Sequence, residues 1–148
     1  MEILVIPDSF KGSLSAVEVA QVMARTVKKV FPSSNCLSTP FSDGGEGALN
    51  VLASNIKGTF VECSTYDALK RPIKAPYFSF ENEKSVWIEL SQTAGITQLK
   101  KSELQPLKTS TLGTGKMIKD ALSVGCKTIY IGIGGSATQD LGKGIISA

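Results

Sequence analysis

The chain has 148 residues, 42% of them hydrophobic and 20% charged, and a formal net charge of +3. That length holds one domain whose core can hide roughly 70% of the unfolded chain's surface. Scattered basic residues exclude a nucleic-acid stripe and three cysteines without CxxC spacing exclude a disulfide framework, while the absence of histidine removes imidazole bases and His-ligated zinc.

Residues 2–6 form a short apolar run that reads as a buried parallel strand. The run is too short for a secretory h-region and lacks a basic n-region, so a cytoplasmic location without membrane contact is expected. Ser15-Ala-Val-Glu18 is a capping box, and Val19/Ala20, Met23/Ala24, Val27 and Val30/Phe31 recur at helical spacing until Pro32. A second helix is expected to open at Gly44 or Gly45, to turn Ala48, Leu49 and Leu52 inward, and to end at Gly58. Three strands follow at 59–64, 73–80 and 85–90, separated by turn-like residues at 67–72 and 81–84, which predicts antiparallel or mixed pairing.

Residues 99–112 read as an ordered loop. Thr114 is expected to start a third helix, with Met117, Ile118, Ala121 and Leu122 facing the core and Gly125 at its end. Residues 128–133 are the cleanest candidate for a buried strand; they run into a glycine-rich loop and a further helix that stops after barely two turns. The element order predicts an α/β fold: a mainly parallel, Rossmann-like sheet with flanking helices plus a mixed or antiparallel β segment. Residues 1–58 and about 108–148 would carry the βα units, and about 59–95 the β-rich segment.

Four loops offer chemistry. The first places Asp8, Ser9, Lys11 and Ser13 after the first strand, at the strand end where α/β proteins seat ligands. Lys11 could neutralise phosphate while Asp8 holds Mg²⁺ or orients a hydroxyl; equally, the serines could be caps and Lys11 solvated. The second, Ser42-Asp-Gly-Gly-Glu-Gly47, sets Gly44 and Gly45 between Asp43 and Glu46. Missing Cβ atoms let backbone amides approach an anion, which an acidic turn answering the helix dipole does not require. The third, Gly132-Ile-Gly-Gly-Ser-Ala-Thr-Gln-Asp140, brings Gly134, Gly135, Ser136, Thr138 and Asp140 between a strand and a helix, an anion cradle. The fourth, residues 109–115, is hydroxyl-rich, with Thr114 either an N-cap or a ligand contact.

Neither lysine-bearing glycine stretch is a Walker A loop: Gly144 follows Gly142-Lys143, and Met117 follows Gly115-Lys116. Gly132-x-Gly134-x-x-Ala137 does match the looser dinucleotide fingerprint, which keeps an NAD(P)-binding oxidoreductase as an alternative. Ser91 to Gly95 reads as structural, and Trp87 and the cysteines as core.

Taken in order, the segments at 6–16, 43–47, 111–115 and 132–138 resemble the class II glycerate kinases over essentially the whole chain. The family usually carries Ala at Ser42, Asn at Gln139, Gly at Leu141 and a small residue at Lys143. Its members are more than twice as long, with two α/β domains, so the chain resembles the amino-terminal portion of that fold. The resemblance implies ATP-dependent phosphorylation of D-glycerate to 2- or 3-phosphoglycerate. It implies Asp8, Lys11 and Asp43 as catalytic residues, with Asp43 also the metal ligand. Ser9, Ser13, Gly44, Gly45, Glu46, Thr114, Gly134, Gly135, Ser136, Thr138 and Asp140 would hold substrate or phosphate. ATP and Mg²⁺ are the implied cofactors, and D-glycerate the small-molecule partner; a homo-oligomer is compatible with the sequence, and nucleic acid is not. The alternative is a relative that binds phosphate or nucleotide without turnover.

Overall fold

The structure, a computed structural model, describes residues 1–81 and 83–148. Asn82, within the turn expected at 81–84, lies outside the described residues. The chain folds as α/β, with parallel and antiparallel strands and flanking helices. Strand β1 (Glu2–Val5) pairs in parallel with β2 (Asn35–Ser38), a strand the sequence reading missed. Between them runs α1 (Ala16–Val30), opened by the Ser15–Glu18 capping box as expected. It buries Ala16, Val19 and Ala20.

Helix α2 spans Ala48–Asn55, later than expected because Gly47, at φ 90°, takes the left-handed turn that precedes it. Strands β3 (Gly58–Tyr66), β4 (Pro72–Phe80) and β5 (Ser85–Glu89) are antiparallel neighbours, and β6 (Thr128–Gly132) joins β5 in parallel. The parallel pairs therefore sit in two separate sheets, β1-β2 and β3-β4-β5-β6. A short helix, α3 (Ser91–Ala94), follows β5, and a single turn, α5 (Lys143–Ile146), lies near the last residue.

The alternation along β5 fixes what lies on each face of the larger sheet. Val86 and Ile88 point to α4 (Leu112–Ser123) and form a core with Cys63, Ala75, Tyr77, Met117 and Ala121. Trp87 and Glu89 point the other way, toward α2 and the glycine loops. On that second face an edge-to-face aromatic row runs Phe60, Phe78, Phe80, Tyr130, with ring centroids 5.5–6.0 Å apart.

Helix α4 starts at Leu112, two residues before the expected Thr114. Gly113 lets it approach β3: a Cβ there would lie 1.9 Å from the Tyr66 carbonyl oxygen, and the Thr65 hydroxyl donates to the Gly113 carbonyl. Gly125, at φ 87°, ends the helix as expected. Strand β6 corrects the reading of a buried strand: Tyr130, Ile131 and Ile133 are all exposed, because β6 is the sheet edge and the described residues leave it uncovered. Among the described residues, no helix is long and apolar enough to cross a membrane.

Candidate functional site

Parallel strands deliver their following loops to the same edge, and β1 and β2 do so here. The Phe41 amide donates to the Pro7 carbonyl at 2.9 Å, which sets the Asp8 loop beside the approach to Asp43. Asp8 accepts from the Ser9 amide, and residues 10–14 close a tight turn that leaves Lys11 and Ser13 exposed at its tip.

Glycine-on-glycine packing then joins the second and third loops. A Cβ on Gly134 would lie 2.5 Å from the Gly45 Cα, and one on Gly132 only 2.4 Å from the Gly44 carbonyl oxygen. No side chain fits between these backbones. Asp43 stands at the junction, its Oδ1 accepting from the Gly45 amide at 2.9 Å. Gly135, at φ 72°, faces Ser91 and Glu46, and the Glu46 carboxylate accepts from the Thr97 hydroxyl at 3.0 Å.

The strand-to-loop turn is tied to the segment after β5. The Ile96 amide donates to the Gly135 carbonyl, and the Ala137 amide to the Ala94 carbonyl. The amides of Gly134, Gly135 and Ser136 donate to no acceptor among the described residues. Ser136 and Thr138 pair through their hydroxyls at 2.8 Å. These free amides belong to the loop itself and not to a helix start, since α5 begins only at Lys143. The helix expected after the loop is present as the single turn α5, but the loop amides do not open it, so the tight strand-turn-helix context that the dinucleotide fingerprint needs is absent.

Sequence reasoning missed Glu89, the group that organises the site. It is fully buried, and it accepts from the Gly47 amide at 3.0 Å, the Leu49 amide at 2.9 Å, the Ser91 hydroxyl and the Gln92 side-chain amide. Its carboxylate answers the orphan amides at the start of α2, the task that the less favoured reading of the second loop, an acidic turn answering the helix dipole, would have given to the loop's own acidic residues. A carboxylate closing the apolar run Ser85-Val-Trp-Ile-Glu89 was the available signal, because a buried charge requires donors.

Two expected ligand contacts are engaged elsewhere. Thr114 is fully buried within α4 and hydrogen-bonds the Thr93 hydroxyl at 2.7 Å. Asp140 accepts from the amides of Thr111, Gly142 and Gly144 and from the Thr111 hydroxyl, clasping the start of α4 to the α5 turn. Leu141 beside it holds φ 53° with its side chain wholly exposed, a conformation suited to glycine. Burial works to raise the Asp140 pKa, but the donors from Thr111, Gly144 and Gly142 outweigh it and hold the carboxyl below its ordinary value.

A depressed folded pKa stabilises above the unfolded value, near ~3.9, and this contribution is lost as pH falls through the folded value. Asp140→Asn is therefore expected to flatten the acid limb of the stability curve below about pH 4, which urea titrations across pH would read. An acid limb identical to the parent's would remove the clasp from the account.

Burial, with the Asp120 carboxylate, pushes the Cys63 thiol up to about 11, so this cysteine is inert at neutral pH. Beside the glycine junction lies a hollow of about 240 Å³ lined by Phe41, Ser42, Gly44, Val51, Asn55 and Trp87. The Trp87 indole Nε1 is buried there without a hydrogen-bond partner among the described residues.

The model of the glycerate kinase family matches residues 3–148. Glycerate kinase from Bacillus subtilis (strain 168) is 38% identical over 100% of this chain and 39% of its own length. Glycerate 2-kinase from Escherichia coli (strain K12) is 36% identical over the same shares. The crystal structure of a candidate glycerate kinase 2 from Salmonella typhimurium LT2 superposes with a TM-score of 0.80 at 37% identity, covering 100% of this chain and 40% of that one. The chain thus spans about two-fifths of the length of these relatives.

Proposed function

This chain belongs to the glycerate kinase family, and from that premise we propose that it carries the phosphate-holding part of a site that transfers the γ-phosphoryl group of ATP to a hydroxyl of D-glycerate. The observation that carries this reading is the backbone contact of Gly45 with Gly134, which groups three unpaired amides with Asp43. Phosphoryl transfer asks chiefly for positioning and charge neutralisation around a loose transition state, and needs no imidazole.

In this reading the amides of Gly134, Gly135 and Ser136 hold phosphate oxygens, and Lys11 offsets their charge. Asp43 orients the glycerate hydroxyl. The hydroxyl oxygen forms the new bond to the γ-phosphorus while the bond to the β–γ bridging oxygen breaks. ADP leaves with that electron pair, and the hydroxyl proton passes by way of Asp43 to solvent. The 240 Å³ hollow beside Gly44 offers room for a nucleoside base against Trp87.

Among the described residues, no three His, Cys, Asp or Glu side chains form a metal-holding group. One Asp43 oxygen has no protein donor among the described residues, which fits Mg²⁺ carried mainly by nucleotide phosphates, as that ion favours. Bound there, the ion would supply neutralisation of phosphate charge.

The test fuses these 148 residues to the part of the Escherichia coli relative that they do not match, and follows ADP release with D-glycerate and Mg-ATP. Asp43→Asn and Lys11→Ala are each expected to lower kcat about 100-fold. Turnover near the parent's in both variants would strip these residues of their roles. A second reading, anion binding without turnover by the chain alone, is favoured by its two-fifths span of the relatives; calorimetric binding of phosphate with no ADP release would bear it out.

A further inference from the structure

A second cavity shares no residue with the glycine loops. It holds about 510 Å³ and is lined by residues of the β3–β4 hairpin, Asp67, Arg71, Ile73 and Lys74 among them, and by Gln92 and Gln98. That volume falls within the ~300–1,000 Å³ of small-molecule pockets.

Basic residues spread along the sequence converge around it. Residues 67–74 and 98–108 hold six lysines and arginines against two acidic residues, a net +4, while the whole chain carries +3. The fold joins these segments: the Arg71 guanidinium donates to Asp67 and, at 2.7 Å, to Glu103, and the Ser110 amide donates to the Ala68 carbonyl at 2.9 Å. Two carboxylates thus fix the guanidinium, and its second terminal nitrogen has no acceptor among the described residues. Lys74 spends one of its three donors on Glu62, at 2.8 Å. The Asp67 carboxylate is taken up by the Leu69 and Arg71 amides and the guanidinium. The side-chain oxygens of Gln92 and Gln98 accept from no donor among the described residues. Charged donors and neutral acceptors in one cavity suit an anion that also carries hydroxyl groups.

The same two glutamines belong to the segment that holds the Asp43–Gly47 loop. Gln92 Nε2 donates at 3.3 Å to Glu89 Oε1, the oxygen that accepts from the Gly47 amide at 3.0 Å. Gln98 Nε2 donates to the Gln92 carbonyl at 2.9 Å, and its neighbour Thr97 holds the Glu46 carboxylate. A ligand drawing on either glutamine therefore acts on the contacts that position residues 46 and 47.

We propose that this cavity is an effector site for a small hydroxylated organic anion. Arg71 and Lys74 hold its carboxylate or phosphate group, and its hydroxyls donate to Gln92 and Gln98. Occupancy is transmitted through Gln92 and Glu89 to the glycine loop, and an anion bound at that loop acts back on the cavity by the same factor.

The test titrates the 148-residue chain calorimetrically with tartrate, a hydroxylated carboxylate, and separately with glycerol 3-phosphate, a hydroxylated phosphate ester, at constant ionic strength. Saturable one-site binding of either is the expected result, and the one that binds names the anionic group. Lys74→Gln, at a side chain 69% exposed, is expected to weaken that binding about tenfold, the worth of one hydrogen bond from a charged group. Gly134→Ala, which parts the glycine loops, should leave it largely intact. Trp87 is the only tryptophan of the chain and its ring packs against Gly44 and Gly132, so its emission reads the glycine loops. Saturating the cavity should shift that emission in the parent and not in Gln92→Met.

Failure of both anions to bind saturably overturns the proposal. So does binding that Lys74→Gln leaves unchanged or that Gly134→Ala abolishes, and so does a Trp87 emission that stays still at saturation or still moves in Gln92→Met. The effector site stands apart from the kinase reading. Cavity binding beside a fusion that releases no ADP sinks the kinase reading alone, whereas an active fusion with an unresponsive cavity sinks only the effector site.

Discussion

Glu89→Ala is expected to lower the unfolding free energy by about 3 kcal/mol, because it leaves two backbone amides of the α2 start, one buried and one half-buried, without an acceptor, each worth ~1–3 kcal/mol. Those amides, of Gly47 and Leu49, point at the carboxylate from 3.0 and 2.9 Å. The Ser91 hydroxyl and the Gln92 side chain lose the same partner. Glu89→Gln keeps one acceptor oxygen and should cost less, about 1–2 kcal/mol, since its amide group faces donors where an acceptor is wanted. Urea denaturation reads both. A Glu89→Ala midpoint indistinguishable from the parent's would mean that the carboxylate does not organise the site. The same change should loosen the Asp43–Gly47 loop, so phosphate binding ought to fall alongside stability.

Gly134→Ala is the second large effect, and it falls on binding. The added methyl would meet the Gly45 Cα at 2.5 Å and its amide nitrogen at 3.1 Å. Backbone cannot swing aside as a side chain can, so the two loops must separate. Each preorganised donor at such a site is worth on the order of 100-fold, and the separation displaces several. We expect at least ~100-fold weaker binding of ADP or inorganic phosphate by calorimetry in the fused protein. Ser136→Ala is the control, because it keeps every backbone amide and removes only a hydroxyl already paired with Thr138. It should change affinity by no more than a few-fold. Equal losses in the two variants would move the binding role from the backbone to the hydroxyl.

Local signals were read well wherever one segment decides its own conformation. The Ser15–Glu18 box opens α1 in the structure, and the alternating runs that became β3, β4 and β5 lie within two residues of their expected limits. Features set by distant contacts were not legible. Strand β2 is four residues, Asn-Cys-Leu-Ser, with no apolar pattern of its own; it exists because β1 offers it an edge. Thr114 resembles a cap, yet α4 begins earlier because Gly113 must slide beneath the Tyr66 carbonyl. The loop segments were singled out from their glycines, but which backbones those glycines would touch depended on the meeting of β2 and β6 loops far apart in the chain. The reading of β6 as buried follows correctly from its composition; the described residues supply no cover for it.

Among the described residues the two sheets share no strand-to-strand hydrogen bonds, so the Gly45–Gly134 contact marks a seam between separately built halves. An anion gripping both banks of such a seam would act as a rivet. Ligand binding would then harden residues well away from the phosphate itself, from α1 on one bank to β6 on the other, and the empty protein would be softest to proteases along that line.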